Sequence, residues 1–131
     1  MATIRAYTTI EQSRKLAEIL PLESADMYYQ YVLPKSDKIK HNPEIGNPVN
    51  ALKWYNKGYT ASGKEPITLD EYCVPCWSLA ALLGVLPVFT IDSSDDHYFR
   101  IHCQQKFSEW HDNLTDACYE MILKLNELKM L

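Results

Sequence analysis

The clearest periodicity lies toward the C-terminus. Leu114, Ala117, Cys118, Met121, Ile122, Leu125 and Leu128 recur at i, i+3, i+4 spacing, with Glu120, Lys124, Glu127 and Lys129 on the other side. Such a stripe marks a helix with one buried face. Asn113 followed by Asp116 reads as its capping box, with Asp in place of the usual Glu. A second helix runs from Leu79 to Leu86, capped by Ser78 and stopped by Pro87. Between the two the period changes. Val88 to Ile91 reads as a strand and Asp92 to Asp96 as a polar turn. Tyr98 to Cys103 alternates, with Phe99, Ile101 and Cys103 on one face and Tyr98, Arg100 and His102 on the other. Gln104 to Lys106 turns the chain, and Phe107 to Trp110 forms a third short strand.

The N-terminal half is less regular. A helix is expected from about Ile10 to Leu20, capped by Thr9 with Gln12 or by Thr8 with Glu11, and ended by Pro21. Met27 to Leu33 is aromatic and β-branched, which suits a short strand or an ordered aromatic loop. From Pro34 to Leu69 the texture shifts. Prolines and glycines punctuate it, and six lysines stand against Asp37, Glu44 and Glu65. After Pro48, one or two helical turns over residues 49–55 are expected. Pro66 to Tyr72 is polar and weakly strand-like. The fold class expected is α+β: a small antiparallel sheet of three or four strands packed by two or three helices, helix–β–β–β–helix in the C-terminal half. The 131 residues read as a single domain with a polar, locally basic insertion at about 34–69.

Composition agrees with a globular chain, at 47% hydrophobic and 23% charged residues. Disordered, collagenous and coiled-coil rod classes are excluded. Seventeen acidic residues outweigh thirteen basic ones, for a net charge of −4. Whole-molecule attraction to phosphate backbones is therefore disfavoured, although a local patch could bind them. The N-terminal stretch lacks the apolar run of a signal peptide, and no run reaches the roughly 18 residues of a membrane span. A cytoplasmic location and reduced thiols at Cys73, Cys76, Cys103 and Cys118 are expected.

Three stretches carry a resemblance: Thr9-Ile10-Glu11-Gln12-Ser13-Arg14-Lys15-Leu16, Pro75-Cys76-Trp77-Ser78-Leu79-Ala80-Ala81-Leu82-Leu83, and Asp112-Asn113-Leu114-Thr115-Asp116-Ala117-Cys118-Tyr119-Glu120-Met121-Ile122. Together they resemble a family of short, uncharacterised proteins of phages and mobile elements in gut anaerobic bacteria. The helix–strands–helix order is also similar to a phage-associated αβα sandwich domain. The resemblance covers about a third of the chain. It implies an intracellular accessory protein that binds another macromolecule. It carries no activity and no site residues.

Candidate chemistry is sparse. Cys73-Val74-Pro75-Cys76 could make a reactive thiol pair or half a zinc site, completed by His102, Cys103 or His111. Buried structural cysteines are the plainer alternative. His102 and Cys103 are neighbours on a strand and face opposite ways, so the zinc-ligand candidates are Cys73, Cys76 and His102. Asp92, Asp95 and Asp96 could gather calcium, but read more simply as a turn. His97, His102 and His111 near Glu109 and Asp112 could do acid–base work, yet no nucleophile has a place beside them. No catalytic motif is found.

The leading functional expectation is a non-enzymatic protein-interaction module with an exposed aromatic patch at Tyr28, Tyr29, Tyr31, Trp54 and Tyr55. The alternative is nucleic-acid binding through Lys38, Lys40, Lys53 and Lys57 interleaved with aromatic rings. The same helix–three-strand–helix order occurs in double-stranded-RNA-binding domains, a fold analogy only.

Overall fold

The computed structural model describes residues 5–131. The chain is α+β and folds as two compact units: Thr9–Trp77, and Ser78–Leu131 together with residues 5–8. Each unit holds its own three-stranded antiparallel sheet. Among the described residues no helix is long and apolar enough to cross a membrane.

The first unit opens with α1, Ile10–Ala17. Thr9 and Gln12 make its capping box: the Gln12 backbone N–H donates to the Thr9 hydroxyl, and the Thr9 N–H donates to the Gln12 side chain. The helix ends short of the expected Leu20, with Glu18 as its C-cap. A 3-10 turn at Leu22–Ser24 leads to β1, Met27–Gln30. This strand is the middle of its sheet, between β2 (Glu44–Ile45) and β3 (Cys73–Cys76). Met27 pairs with Cys76, Tyr28 with Pro75, Tyr29 with Val74 and Gln30 with Cys73.

The stretch read as an insertion is more ordered than its composition suggests. It carries β2 and a 14-residue helix, α2, from Pro48 to Ala61. Asn47 explains where α2 starts. Its side-chain oxygen accepts from the N–H groups of Val49 and Asn50, and its amide donates to the carbonyls of Leu22 and Ala25. Pro48 occupies the first turn, where its missing N–H costs nothing. Ala51, Leu52, Tyr55 and Tyr59 give α2 an apolar face, packed on Ile67, Tyr72 and Cys73. Gly63, at φ +87°, follows the helix in the left-handed region that favours glycine.

Asn56 then clamps the returning chain, exchanging two 3.0 Å hydrogen bonds with the backbone of Ile67. The segment read as weakly strand-like holds a short helix instead, α3, Leu69–Tyr72. Glu71 explains it. Its carboxylate accepts from the Thr68 backbone N–H and hydroxyl, competing successfully with the extended form. That backbone bond holds the Glu71 carboxyl below its ordinary range.

The second unit follows the expected order closely. Ser78 caps α4, Leu79–Val85, and its hydroxyl accepts from the Ala81 N–H at 3.1 Å. Then come β4 (Phe89–Ser93), β5 (Phe99–Cys103) and β6 (Lys106–Phe107), with β5 in the middle. Helix α5, Leu114–Glu127, closes the unit. Ile101 and Cys103 belong to the same buried set as Leu82, Cys118, Met121, Ile122 and Leu125. Asn113 caps α5 through the Thr115 N–H at 2.8 Å. Asp116 does not complete a capping box. It pairs instead with the Arg5 guanidinium, whose backbone carbonyl accepts from the Thr115 hydroxyl.

Candidate functional site

Only part of the aromatic set expected at the surface lies there. Tyr29 is a core residue at 3% exposure. Tyr28 and Tyr55 flank Tyr72, with ring centres 5.8 and 5.0 Å from it, and Tyr59 stacks on Tyr55 at 5.3 Å. These four rings fill the space between α2 and the first sheet. Burial, together with a hydrogen bond to Tyr28, raises the Tyr72 hydroxyl above its ordinary value. Tyr31 is half-buried and bridges to Ile39. Trp54 alone of the five is strongly exposed, at 73%. Strand alternation sends Tyr28 and Tyr29 to opposite faces of β1, and the helical period turns Trp54 away from the Tyr55 side of α2.

The four lysines are all exposed and fall into two groups. Lys53 and Lys57 line a hollow on α2 with Asn50 and Trp54, and the Lys57 ammonium lies 5.2 Å from the Trp54 ring centre. Lys38 and Lys40 line another hollow, with Ile39 and His41 between and after them and Glu44 beside them.

Cys73 and Cys76 stand on β3 itself, not at a helix start. Three positions apart on a strand, their side chains leave opposite faces of the sheet. Cys73 joins the Ile67–Tyr72 cluster, and Cys76 is fully buried. They are therefore placed as core residues, not as a ligand or redox pair. Burial, aided by Asp70, pushes the Cys73 thiol up to about 12. Burial does the same to Cys118 and raises Cys103. Among the described residues no three His, Cys, Asp or Glu side chains gather to hold a metal ion. His102 is engaged elsewhere, stacked parallel on Phe107 with ring centres 4.2 Å apart.

The His–carboxylate pair that forms is His111 with Glu120, at 2.7 Å. Both Glu120 oxygens also accept from the Glu109 backbone N–H, and Lys124 pairs with the same carboxylate. That arrangement fastens the 109–111 segment to α5. His97 lies in the β4–β5 turn at φ +64°.

The outer face of the second sheet holds the most organised exposed cluster. The pairing Asp92 with Arg100 and Thr90 with His102 puts these four side chains on the face opposite Ile101 and Cys103. The Arg100 Nε and Nη2 both donate to Asp92 Oδ2, at 3.1 and 2.9 Å. Its guanidinium lies 4.4 Å from the Phe107 ring centre and 4.5 Å from that of Trp110. His102, Phe107, Arg100 and Trp110 thus form one stacked series. Tyr98, Phe107 and Trp110 remain 43–44% exposed within it or beside it. The alternation of Tyr98, Arg100 and His102 was visible in the sequence, but Phe107 and Trp110 joining them was not. That depends on the two-residue turn at Gln104-Gln105, which sets His102 opposite Phe107. No protein-family model, curated protein or solved structure matches this chain.

Proposed function

We propose that this chain is a non-enzymatic protein-interaction module whose docking surface is the outer face of the second sheet. The observation that carries the reading is the Phe107–Arg100–Trp110 stack, held by Asp92 and still exposed. Tyr, Trp and Arg are the residue types that anchor protein interfaces. A side chain already stacked and hydrogen-bonded loses less freedom when a partner docks. An accessory role in a phage or mobile-element setting, implied by the sequence resemblance, belongs to the same proposal. So does the cytoplasm, which suits four buried cysteines that form no disulfide.

The test is selection of binders from a displayed random-peptide library against the whole chain. Binders that lose at least about tenfold in affinity with Phe107→Ala or Trp110→Ala, and little with Trp54→Ala, support the reading, as expected for anchor residues. A library that yields no binder, or binders indifferent to both substitutions, overturns it.

One observation favours a second reading. Helix α2 carries Lys53, Trp54 and Lys57 around one hollow and has no acidic residue. A single nucleic-acid strand could set phosphates on the lysines and a base on the exposed ring. The net charge of −4 opposes it. An oligonucleotide bound equally at low and high salt overturns this second reading.

A further inference from the structure

The β4–β5 turn, beside the stacked face, closes tightly on Ser94. The Ser94 carbonyl accepts from the His97 N–H at 3.2 Å, the Ser94 N–H donates to the Tyr98 carbonyl at 3.0 Å, and the Ser94 hydroxyl accepts from the Tyr98 N–H at 3.2 Å. These bonds fix the positions of Asp96 and Tyr98. Beside them opens a hollow of about 300 Å³ lined by Ser94, Asp96, Tyr98 and Trp110.

Asp96 supplies a carboxylate to this lining, and Tyr98 and Trp110 supply aromatic surface, a combination that suits a cation. Between Asp92 and Tyr98 there are three carboxylates and no lysine or arginine. Arg100 answers Asp92. Among the described residues Asp95 and Asp96 have no ion-pair partner. The flat stacking place on Trp110 is already taken by the chain's own guanidinium. What is left suits a compact ammonium with several donors better than a second planar guanidinium.

We infer that this hollow receives a lysine side chain of the docked protein partner, an inference that rests on the reading of the sheet face as a protein-docking surface. The partner segment is basic at this point and meets the acidic turn, while its apolar neighbours lie against Phe107 and Trp110. Charge at the rim sets orientation and encounter rate, and the aromatic stack supplies the anchor.

The experiment is a titration of the whole isotope-labelled chain, followed by amide and indole N–H signals. The probes are a blocked Gly-Gly-Lys-Gly-Gly peptide and its isostere with norleucine in place of lysine. The lysine peptide is expected to shift the Trp110 indole and the Tyr98 amide saturably. The norleucine peptide binds at least fivefold more weakly, Asp96→Asn weakens the lysine peptide at least threefold, and added salt weakens it further. Equal binding of the two peptides, a lysine-dependent shift elsewhere on the chain, or no shift overturns the inference. The two levels separate in the library selection. Binders that need Phe107 and Trp110 but ignore Asp96→Asn overturn the lysine site and leave the docking surface standing. Binders indifferent to Phe107 and Trp110 overturn both.

Discussion

The Arg100 guanidinium is held from two sides, by two hydrogen bonds to a single oxygen of Asp92 and by the Trp110 ring 4.5 Å away. Both side chains of the ion pair are about one-third exposed, so solvent screens the pair. Asp92→Asn should therefore cost no more than about 1 kcal/mol in denaturant unfolding. Its main effect should be on order: Trp110 fluorescence should become more easily quenched as Arg100 is released. Arg100→Lys should give the same loosening, because an ammonium cannot stack between two rings as a planar group does.

Asn47 should be among the costliest polar residues to replace. It caps α2 through two backbone N–H groups and ties that helix to the carbonyls of Leu22 and Ala25. Asn47→Ala should destabilise the chain by about 1–2 kcal/mol, at the upper end for an N-cap. Asn47→Asp keeps the cap but turns a carboxylate oxygen toward the Leu22 and Ala25 carbonyls, where it repels instead of donating, and should cost at least as much as Asn47→Ala. Urea denaturation midpoints measure both.

The Gln104-Gln105 turn offers a gain. Both residues have positive φ, 49° and 66°, between the paired residues Cys103 and Lys106. Two-residue turns of this kind favour Asn-Gly, since left-handed backbone is unfavourable for most side chains. The double substitution Gln104→Asn, Gln105→Gly should stabilise the chain by about 1 kcal/mol, read as an upward shift in the thermal midpoint. No gain would mean the turn is held by something other than backbone preference.

This turn also marks where sequence reading stopped. The helical faces of α4 and α5 were legible because leucines and their neighbours recur at helical spacing under clear caps. The alternation of β5 was legible too. The tyrosines were not, because Tyr28 and Tyr29 look alike as letters while the pleat sends them to opposite faces of one sheet. Helix α2 was legible only in its first turns. Its apolar face mixes Ala51, Leu52, Tyr55 and Tyr59 with lysines and Gly58, which blurs the stripe. The aromatic face of the second sheet depends on register, and register was set by a turn with none of the usual turn residues.

The thiols give a pH dependence. Burial pushes Cys73 and Cys118 from the ordinary 9.0 up to about 12 and raises Cys103. An unfolded chain releases these protons near 9, whereas the folded chain keeps them. The folded state thus binds more protons across that window. Stability should be full below about pH 9 and fall as pH rises toward 12. Denaturation midpoints at neutral and alkaline pH measure the fall, and Cys118→Ala should reduce its slope. In the folded chain at neutral pH none of the four buried cysteines should react with a thiol reagent until the chain unfolds.

Protein docking on the outer face of the second sheet makes Trp110, not Trp54, the anchor. Its most direct measurement is the affinity of one library-selected binder for the wild-type chain, for Trp110→Ala and for Trp54→Ala, all confirmed folded by their unfolding transitions. Trp110→Ala should weaken binding at least about tenfold, as expected of an aromatic anchor, and Trp54→Ala should change it less than about twofold. Binding that survives Trp110→Ala and is lost with Trp54→Ala would contradict the claim and move the docking surface to α2.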